Sequence, residues 1–119
     1  MSQHQPIPVV TDADVERITR RDYPSAVDEV TALLAQYGTE KWHNEVPRVR
    51  VAVLRLGAGN IDTLKKHLGY ALSDYRDALM GAEYMKFATL TLKEPQPSEG
   101  AAETAINQDW EDYATWFRR

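Results

Sequence analysis

The stretch "VPRVRVAVLRLGAGN", residues 46–60, decides the fold class of this chain. Residues 48–51 alternate between charged and apolar side chains as in a half-buried strand, and valine favours strands. Pro47 suits a first helical turn, however, and Gly57 suits a helix end. The apolar residues also recur at helical spacing, at Val49, Ala52, Val53 and Leu56. Because no second clear strand is available to pair with it, this stretch predicts a helix, and the most buried one.

The segment that follows predicts one long helix over residues 60–81, with Asn60 as its N-cap. Its apolar side chains form one narrow stripe, made by Ile61, Leu64, Leu68, Leu72, Tyr75 and Leu79. The join to the preceding helix is short, which is typical of antiparallel neighbours. The helices at 46–57 and 60–81 therefore form the predicted central antiparallel pair.

Further helices are predicted on both sides of this pair. Thr11 and Asp14 have the spacing of a capping box, and "SAVDEVTALLAQYG" from Ser25 predicts a helix that ends at Gly38. A C-terminal helix is expected at about 104–118, packed across the pair. The fold class is therefore all-α, a compact bundle of four to five helices. The pattern leaves open whether residues 87–92, "FATLTL", are extended.

The chain of 119 residues predicts one domain. Residues 1–10 carry two prolines and little periodicity, which indicates a flexible N-terminal tail. A single helical domain is expected over 11–119, with a linker near 93–100, where "KEPQPSEG" contains proline and glycine.

Composition disfavours several classes of function. The chain has 14 basic and 18 acidic side chains, a net charge of -4, and its basic residues form no dense run. Nucleic acid is therefore not the expected partner. The absence of cysteine excludes disulfides and cysteine nucleophiles. No secretory signal and no apolar run long enough for a bilayer is found, so we expect a cytoplasmic protein without membrane contact.

Several short motifs resemble those of a group of short bacterial proteins with no assigned activity, and the resemblance covers roughly residues 23–84. The shared residues are Tyr37-Gly38, Trp42-His43, "RVRVAVLRLGAGN", Asp74-Tyr75-Arg76-Asp77 and Glu83-Tyr84. The resemblance implies a helical fold and a bacterial cytoplasmic source. It carries no functional residue over to this chain.

Glu40 and His43 have the Glu-x-x-His spacing of half a di-iron carboxylate site. They lie between the helix-ending Gly38 and the helix-starting Pro47, and the chain has no second Glu-x-x-His. We therefore predict a loop without metal, anchored in the core by Trp42. No cofactor is expected.

A second group, His67, Tyr70 and Asp74, shares one face of the long predicted helix and could supply a general base. No nucleophile is near it in the sequence, so a solvated helix face is the favoured interpretation. Nucleotide-binding and hydrolase motifs are missing. The sequence therefore disfavours an enzymatic function without deciding the question.

Two arginines, Arg48 and Arg55, lie seven residues apart on the predicted central helix. Such guanidinium groups either pair with carboxylates or bind an anion. We favour structural ion pairs, with Asp74, Asp77, Glu40 and Glu45 as candidate partners. The alternative is a small acidic-ligand or enzymatic site formed by Trp42, His43, Arg48 and Arg55.

The C-terminal aromatic cluster "WEDYATWF", residues 110–117, predicts either core residues or an interaction face. Tyr113 and Trp116 are the candidate interaction residues. The leading hypothesis is thus a small bacterial helical protein that acts as a non-catalytic module, binding a protein partner or a second copy of itself. An arginine patch at Arg17, Arg20 and Arg21 is the one feature that would suit nucleic acid.

Overall fold

The computed structural model describes residues 9–93 and 96–119, and all regular secondary structure in these residues is helical. The all-α class is therefore confirmed. The helices are α1 Asp12–Asp22, α2 Val27–Leu34, α3 Val46–Gly57, α4 Ile61–Ser73, α5 Tyr75–Glu83, α6 Met85–Lys93 and α7 Glu99–Arg118. This is more than the four to five helices predicted. Residues 1–8 of the predicted tail and residues 94–95 of the predicted linker lie outside the described residues.

The decisive stretch is helix α3, as predicted. Pro47 lies in its first turn, and it ends where Ala58 takes a left-handed conformation, with φ 51°. Consecutive residues from Val51 to Leu54 are all buried, so α3 is surrounded on most of its circumference. A strand with one solvated face would not show this burial, because its side chains alternate between two faces.

The prediction of a single long helix over 60–81 is wrong, because the helix is interrupted at Asp74. The backbone there is extended, with φ -155° and ψ 107°, and α4 ends at Ser73. The Asp74 carboxylate accepts a hydrogen bond of 3.0 Å from the backbone N–H of Arg76. Asp74 therefore acts as an N-cap for α5, which favours starting a new helix over continuing the old one.

Residues 87–92 are helical and not extended, since they belong to α6. The reason lies in another helix. The buried Asp109 of α7 accepts hydrogen bonds from the backbone N–H groups of Lys86, at 2.8 Å, and Phe87, at 2.9 Å. This carboxylate satisfies N–H groups that the first turn of a helix cannot satisfy itself. α7 begins at Glu99, before the predicted start at 104, and Ser98 caps it.

The chain divides into two compact units, Val9–Leu79 and Met80–Arg119, called here the N-terminal and the C-terminal unit. In the N-terminal unit, α3 packs against α1 and α4, and α2 also packs against both of these helices. In the C-terminal unit, α6 packs against α7. The single domain predicted over 11–119 stays a prediction.

Helices α3 and α4 lie close together at Gly57. A Cβ atom on Gly57 would lie 2.8 Å from the Leu64 Cβ and would collide with the Tyr23 hydroxyl. That hydroxyl donates a hydrogen bond of 3.1 Å to the carbonyl of Leu54. Gly57 is therefore required by packing, in addition to its place at the helix end.

Candidate functional site

The loop between α2 and α3 is organised around the ring of His43. Its Nδ1 accepts hydrogen bonds from three consecutive backbone N–H groups, those of Gly38 at 2.8 Å, Thr39 at 3.1 Å and Glu40 at 3.2 Å. Gly38 has φ 125°, a conformation that glycine adopts without strain. Only an unprotonated nitrogen accepts hydrogen bonds, so the geometry assigns the proton of the neutral ring to Nε2.

Two aromatic rings enclose His43. Tyr37 stacks on it at 4.4 Å between ring centroids, and Trp42 meets it edge-on at 4.2 Å. The Tyr37 hydroxyl donates to the carbonyl of Asn44 at 2.7 Å, and burial raises its pKa. Trp42 is 46% exposed whereas His43 is 8% exposed. The expectation that Trp42 anchors the loop is thus wrong, because His43 and Tyr37 do so.

The Glu40–His43 pair lies in this loop and not on a helix, as predicted. The His43 Nδ1 is occupied by backbone N–H groups, and Glu40 is exposed. Within residues 9–93 and 96–119, no cluster of three histidine, aspartate or glutamate side chains has the arrangement of a metal site.

The two arginines singled out from the sequence are both on α3. Arg48 lies 3.8 Å from the Glu45 carboxylate, one of the partners expected for it. Arg55 is half-buried in the last turn, where a positive charge is favourable. Asp74 pairs with Arg76 at 2.9 Å, and the hydrogen bonds from Arg76 lower the pKa of Asp74. A ligand-binding role for Trp42, His43, Arg48 and Arg55 stays a prediction.

Arg50 was missed by the sequence analysis. Its Nε donates a hydrogen bond of 3.0 Å to the carbonyl of Tyr37, which fixes the guanidinium beside the loop. Arg50 also lines a cavity of about 260 Å³ between α1, α2 and α3. The sequence analysis included it only in the alternating pattern of residues 48–51, and nothing in the sequence shows that α1 and α2 form a cavity there.

The His67, Tyr70 and Asp74 group contains no catalytic arrangement. The rings of His67 and Tyr70 meet edge-on at 5.7 Å, and Tyr70 is largely exposed. Asp74 lies beyond the end of α4 and is engaged by Arg76. Burial, with repulsion from Lys66, lowers the pKa of His67, so the ring is mainly neutral at pH 7.

The arginine patch on α1 is ion-paired locally. Each guanidinium has a carboxylate partner on the same helix: Arg17 with Asp14 at 3.7 Å, Arg20 with Glu16 at 3.0 Å, and Arg21 with Asp22 at 2.8 Å. A phosphate backbone would have to compete with these carboxylates for the arginines.

The two candidate interaction residues differ in exposure. Tyr113 is fully buried, and its ring stacks on Phe117 at 5.8 Å. Trp116 is half-buried and lies 5.9 Å from Tyr113. Trp116 therefore offers surface to a partner without rearrangement, whereas Tyr113 does not.

An open groove of about 770 Å³ runs between α6 and α7 in the C-terminal unit. Its lining is mostly apolar or small, and comprises Met85, Lys86, Thr89, Leu90, Lys93, Gly100, Ala101, Thr104, Ala105 and Gln108. Met85 is 59% exposed, and Leu92 on the same helix is 86% exposed. This groove between α6 and α7 is hereafter the α6–α7 groove.

Comparison of the chain with protein-family models, with curated protein sequences and with solved structures finds no match to any of them. Among the described helices, none combines the length and the apolar character needed to cross a membrane.

Proposed function

We propose that this protein is a small non-catalytic interaction module, and that it associates with a second copy of itself through the α6–α7 groove. The observation that carries the proposal is the groove itself, an open apolar surface beside a highly exposed leucine. Exposed apolar surfaces of this kind commonly mark interaction sites. Small residues along α7, namely Gly100, Ala101 and Ala105, leave room for a helix to approach closely.

Charge supports a second copy as the occupant. Lys86 contacts Asp109 and Asp112, and the N-terminal end of α6 therefore lies beside the middle of α7. Lys93, at the other end of α6, lies toward the start of α7. The exposed Glu111 is on the same side of α7 as the groove residue Gln108, three residues earlier. Within residues 9–93 and 96–119, neither Lys93 nor Glu111 forms an ion pair.

A two-fold axis through the middle of the α6–α7 groove would exchange its two ends. Lys93 of each copy would then face Glu111 of the other copy, while apolar side chains meet between them. The same residues serve on both sides, as an isologous interface requires. Trp116, further along α7, is a candidate for the edge of this contact, whereas the buried Tyr113 supports the helix from within.

Sedimentation equilibrium at several protein concentrations tests this proposal. The wild-type chain is expected to form a dimer, and Gly100→Trp to remain monomeric. Among the residues that the structure describes, a Cβ added at Gly100 would meet no atom within 4 Å apart from its own helix backbone and its chain neighbours, so the larger side chain is expected to extend into the groove. Lys41→Glu, an exposed change in the N-terminal unit, is the matched control.

The charge pair provides a more specific test. Lys93→Glu and Glu111→Lys should each weaken the dimer, because each places two like charges opposite one another. The double variant should restore association, since the pair is then exchanged. A wild-type chain that is monomeric at all concentrations, or a dimer unaffected by Gly100→Trp, would reject the proposal.

Two further features belong to the proposal. We propose that α3 and α4, which pack together and are joined by residues 58–60, run antiparallel as the central pair of the N-terminal unit. We also propose a bacterial cytoplasmic setting without a nucleic-acid partner. The motif resemblance supports the source, and the local ion pairs of α1 support the absence of nucleic acid.

A further inference from the structure

The loop between α2 and α3, which takes no part in the proposed self-association, is held closed by one titratable side chain. The backbone N–H groups of Gly38, Thr39 and Glu40 donate to the Nδ1 atom of His43 over 2.8 to 3.2 Å. Among the described residues, these three N–H groups have no other acceptor. A single nitrogen atom on a largely buried ring therefore closes the first half of the loop.

Protonation of His43 is incompatible with this arrangement. In the imidazolium form both ring nitrogens carry a proton, so a protonated Nδ1 would face three N–H donors at hydrogen-bond distance. Flipping the ring would not relieve the conflict, because the imidazolium offers no acceptor on either side. The closed loop thus admits only the neutral ring, whereas an open loop admits the neutral and the protonated ring alike.

The backbone of the loop favours opening once the bonds to His43 are lost. Glu45, the last residue before α3, has φ 53°, a left-handed conformation that is strained in a residue with a Cβ atom. The bonds to His43 offset this strain while the loop is closed. Tyr37 is fully buried beneath the His43 ring, so departure of the ring would expose it. The closed and the open loop are therefore two distinct states, and one acceptor decides between them.

We infer that the α2–α3 loop is a pH-sensitive switch, closed while His43 is neutral and opened by acid when His43 is protonated. The contribution of His43 to the closed loop is complete above the range in which a free imidazole titrates, and it decreases as the pH falls below that range. A solvated imidazole has a pKa of about 6.5. Because only the open loop takes up the proton, the ratio of open to closed loop rises about 30-fold between about pH 7.5 and about pH 5.0.

The surroundings of His43 assign a response in this pH range to its imidazole. The charged and titratable neighbours in the described part of the chain are Tyr37 beneath the ring, Glu40, Lys41 and Glu45 in the loop, Arg48 and Arg50 on α3, and Tyr75 of α5 beside Tyr37. Of these side-chain types and histidine, only the imidazole ordinarily changes its charge between about pH 7.5 and about pH 5.0.

Solvent-exchange NMR on the full chain at these two pH values tests the switch. The exchange rate of each amide in an unstructured peptide, divided by its observed rate at the same pH, gives a protection factor free of the intrinsic pH dependence of exchange. Protection at Gly38, Thr39 and Glu40 should fall about 30-fold, or to the unprotected value, on acidification. Amides in α4 should keep their protection, because the switch leaves the helices folded.

Three variants assign the response to His43. His43→Asn keeps an acceptor that does not titrate, so protection of the three amides should change by less than about threefold over the same pH range. His67→Asn changes the other described histidine, and Glu40→Gln changes an exposed carboxylate of the loop. Both of these variants should respond to acid as the wild-type chain does.

The imidazole nitrogen chemical shifts of the wild-type chain give a second readout, which does not require any variant to fold. At the higher pH they should show a proton on Nε2 of His43 and none on Nδ1. The doubly protonated ring should appear only together with the loss of amide protection at Gly38, Thr39 and Glu40.

Four outcomes would overturn the inference. The first is unchanged protection of the three amides in acid, and the second is an equal loss of protection in His43→Asn. The third is a doubly protonated His43 ring in a chain whose loop amides stay protected. The fourth is an equal loss of protection in α4, which would show unfolding of the whole unit. None of these depends on the oligomeric state, so this inference and the proposed function can fail separately.

Discussion

The ring of His43 supplies two separable contributions to stability, and two substitutions separate them. His43→Phe keeps a ring between Tyr37 and Trp42 but removes the acceptor for three backbone N–H groups. His43→Asn removes the ring but keeps an acceptor, because the Asn Oδ1 is separated from the backbone by the same number of covalent bonds as the His Nδ1. Each variant therefore tests one contribution while the other is retained.

The expected magnitudes follow from these contacts. Leaving partly buried donors without an acceptor costs about 1–3 kcal/mol, which we expect for His43→Phe. The stacked ring contact at 4.4 Å contributes about 0.5–1.5 kcal/mol beyond its buried area, so His43→Asn should also destabilise the protein. His43→Ala loses both contributions and should be the least stable of the three.

Urea denaturation measures the free energy of unfolding of the three variants, with an unchanged m-value as the check that the unfolding transition is comparable. Amide hydrogen exchange of Gly38, Thr39 and Glu40 shows where the loss occurs. Exchange at these amides should accelerate in His43→Phe and stay closer to wild type in His43→Asn. If His43→Phe matches wild type in both stability and exchange, the His43 acceptor is not what organises the loop.

Three other substitutions test the packing. Gly57→Ala should destabilise the N-terminal unit by about 1–3 kcal/mol, because its Cβ collides with Tyr23 and approaches Leu64; an unchanged urea midpoint would contradict this. Asp109→Ala should cost about 1–2 kcal/mol and accelerate amide exchange in α6, with exchange in α4 as the internal control. Burial raises the Tyr23 pKa above 10.0, outweighing a hydrogen bond from the backbone of Gly59 that favours the phenolate. The free energy of unfolding should therefore be unaffected by Tyr23 below pH 10 and should fall as the pH rises from 10 toward the pKa of Tyr23 in the folded protein. Tyr23→Phe should remove the part of this fall that is due to the Tyr23 hydroxyl.

The sequence predicted the elements whose signals are local. The Thr11–Asp14 capping box is present at the start of α1, with both reciprocal hydrogen bonds. The helical spacing of apolar residues in α3 outweighed the alternation of residues 48–51, because a helix buried on most of its circumference needs apolar residues on several faces. The loop at Glu40 and His43 was also predicted from its flanking glycine and proline.

Features that depend on distant contacts were missed or misjudged. Asp74 fits both the middle of a helix and an N-cap, and helical periodicity continues past it, so the break between α4 and α5 was not predicted. The sequence did not decide whether residues 87–92 are extended or helical. The backbone N–H groups at the start of α6 are bound by Asp109, which is more than 20 residues away in the chain. Trp42 was predicted to anchor the loop, but it is 46% exposed, whereas His43 is bound by three backbone N–H groups.

By itself, the sequence determined that this chain is helical, where α1 and α3 begin, and that residues 40–45 form a loop. These follow from capping residues, proline, glycine and apolar spacing, which act within a few residues of the chain. The tertiary structure alone decided that His43 fills the loop, that Asp109 caps α6, and that Arg50 faces a cavity between three helices. Those contacts form between groups whose separation is set by the packing of helices, and no local pattern encodes that separation.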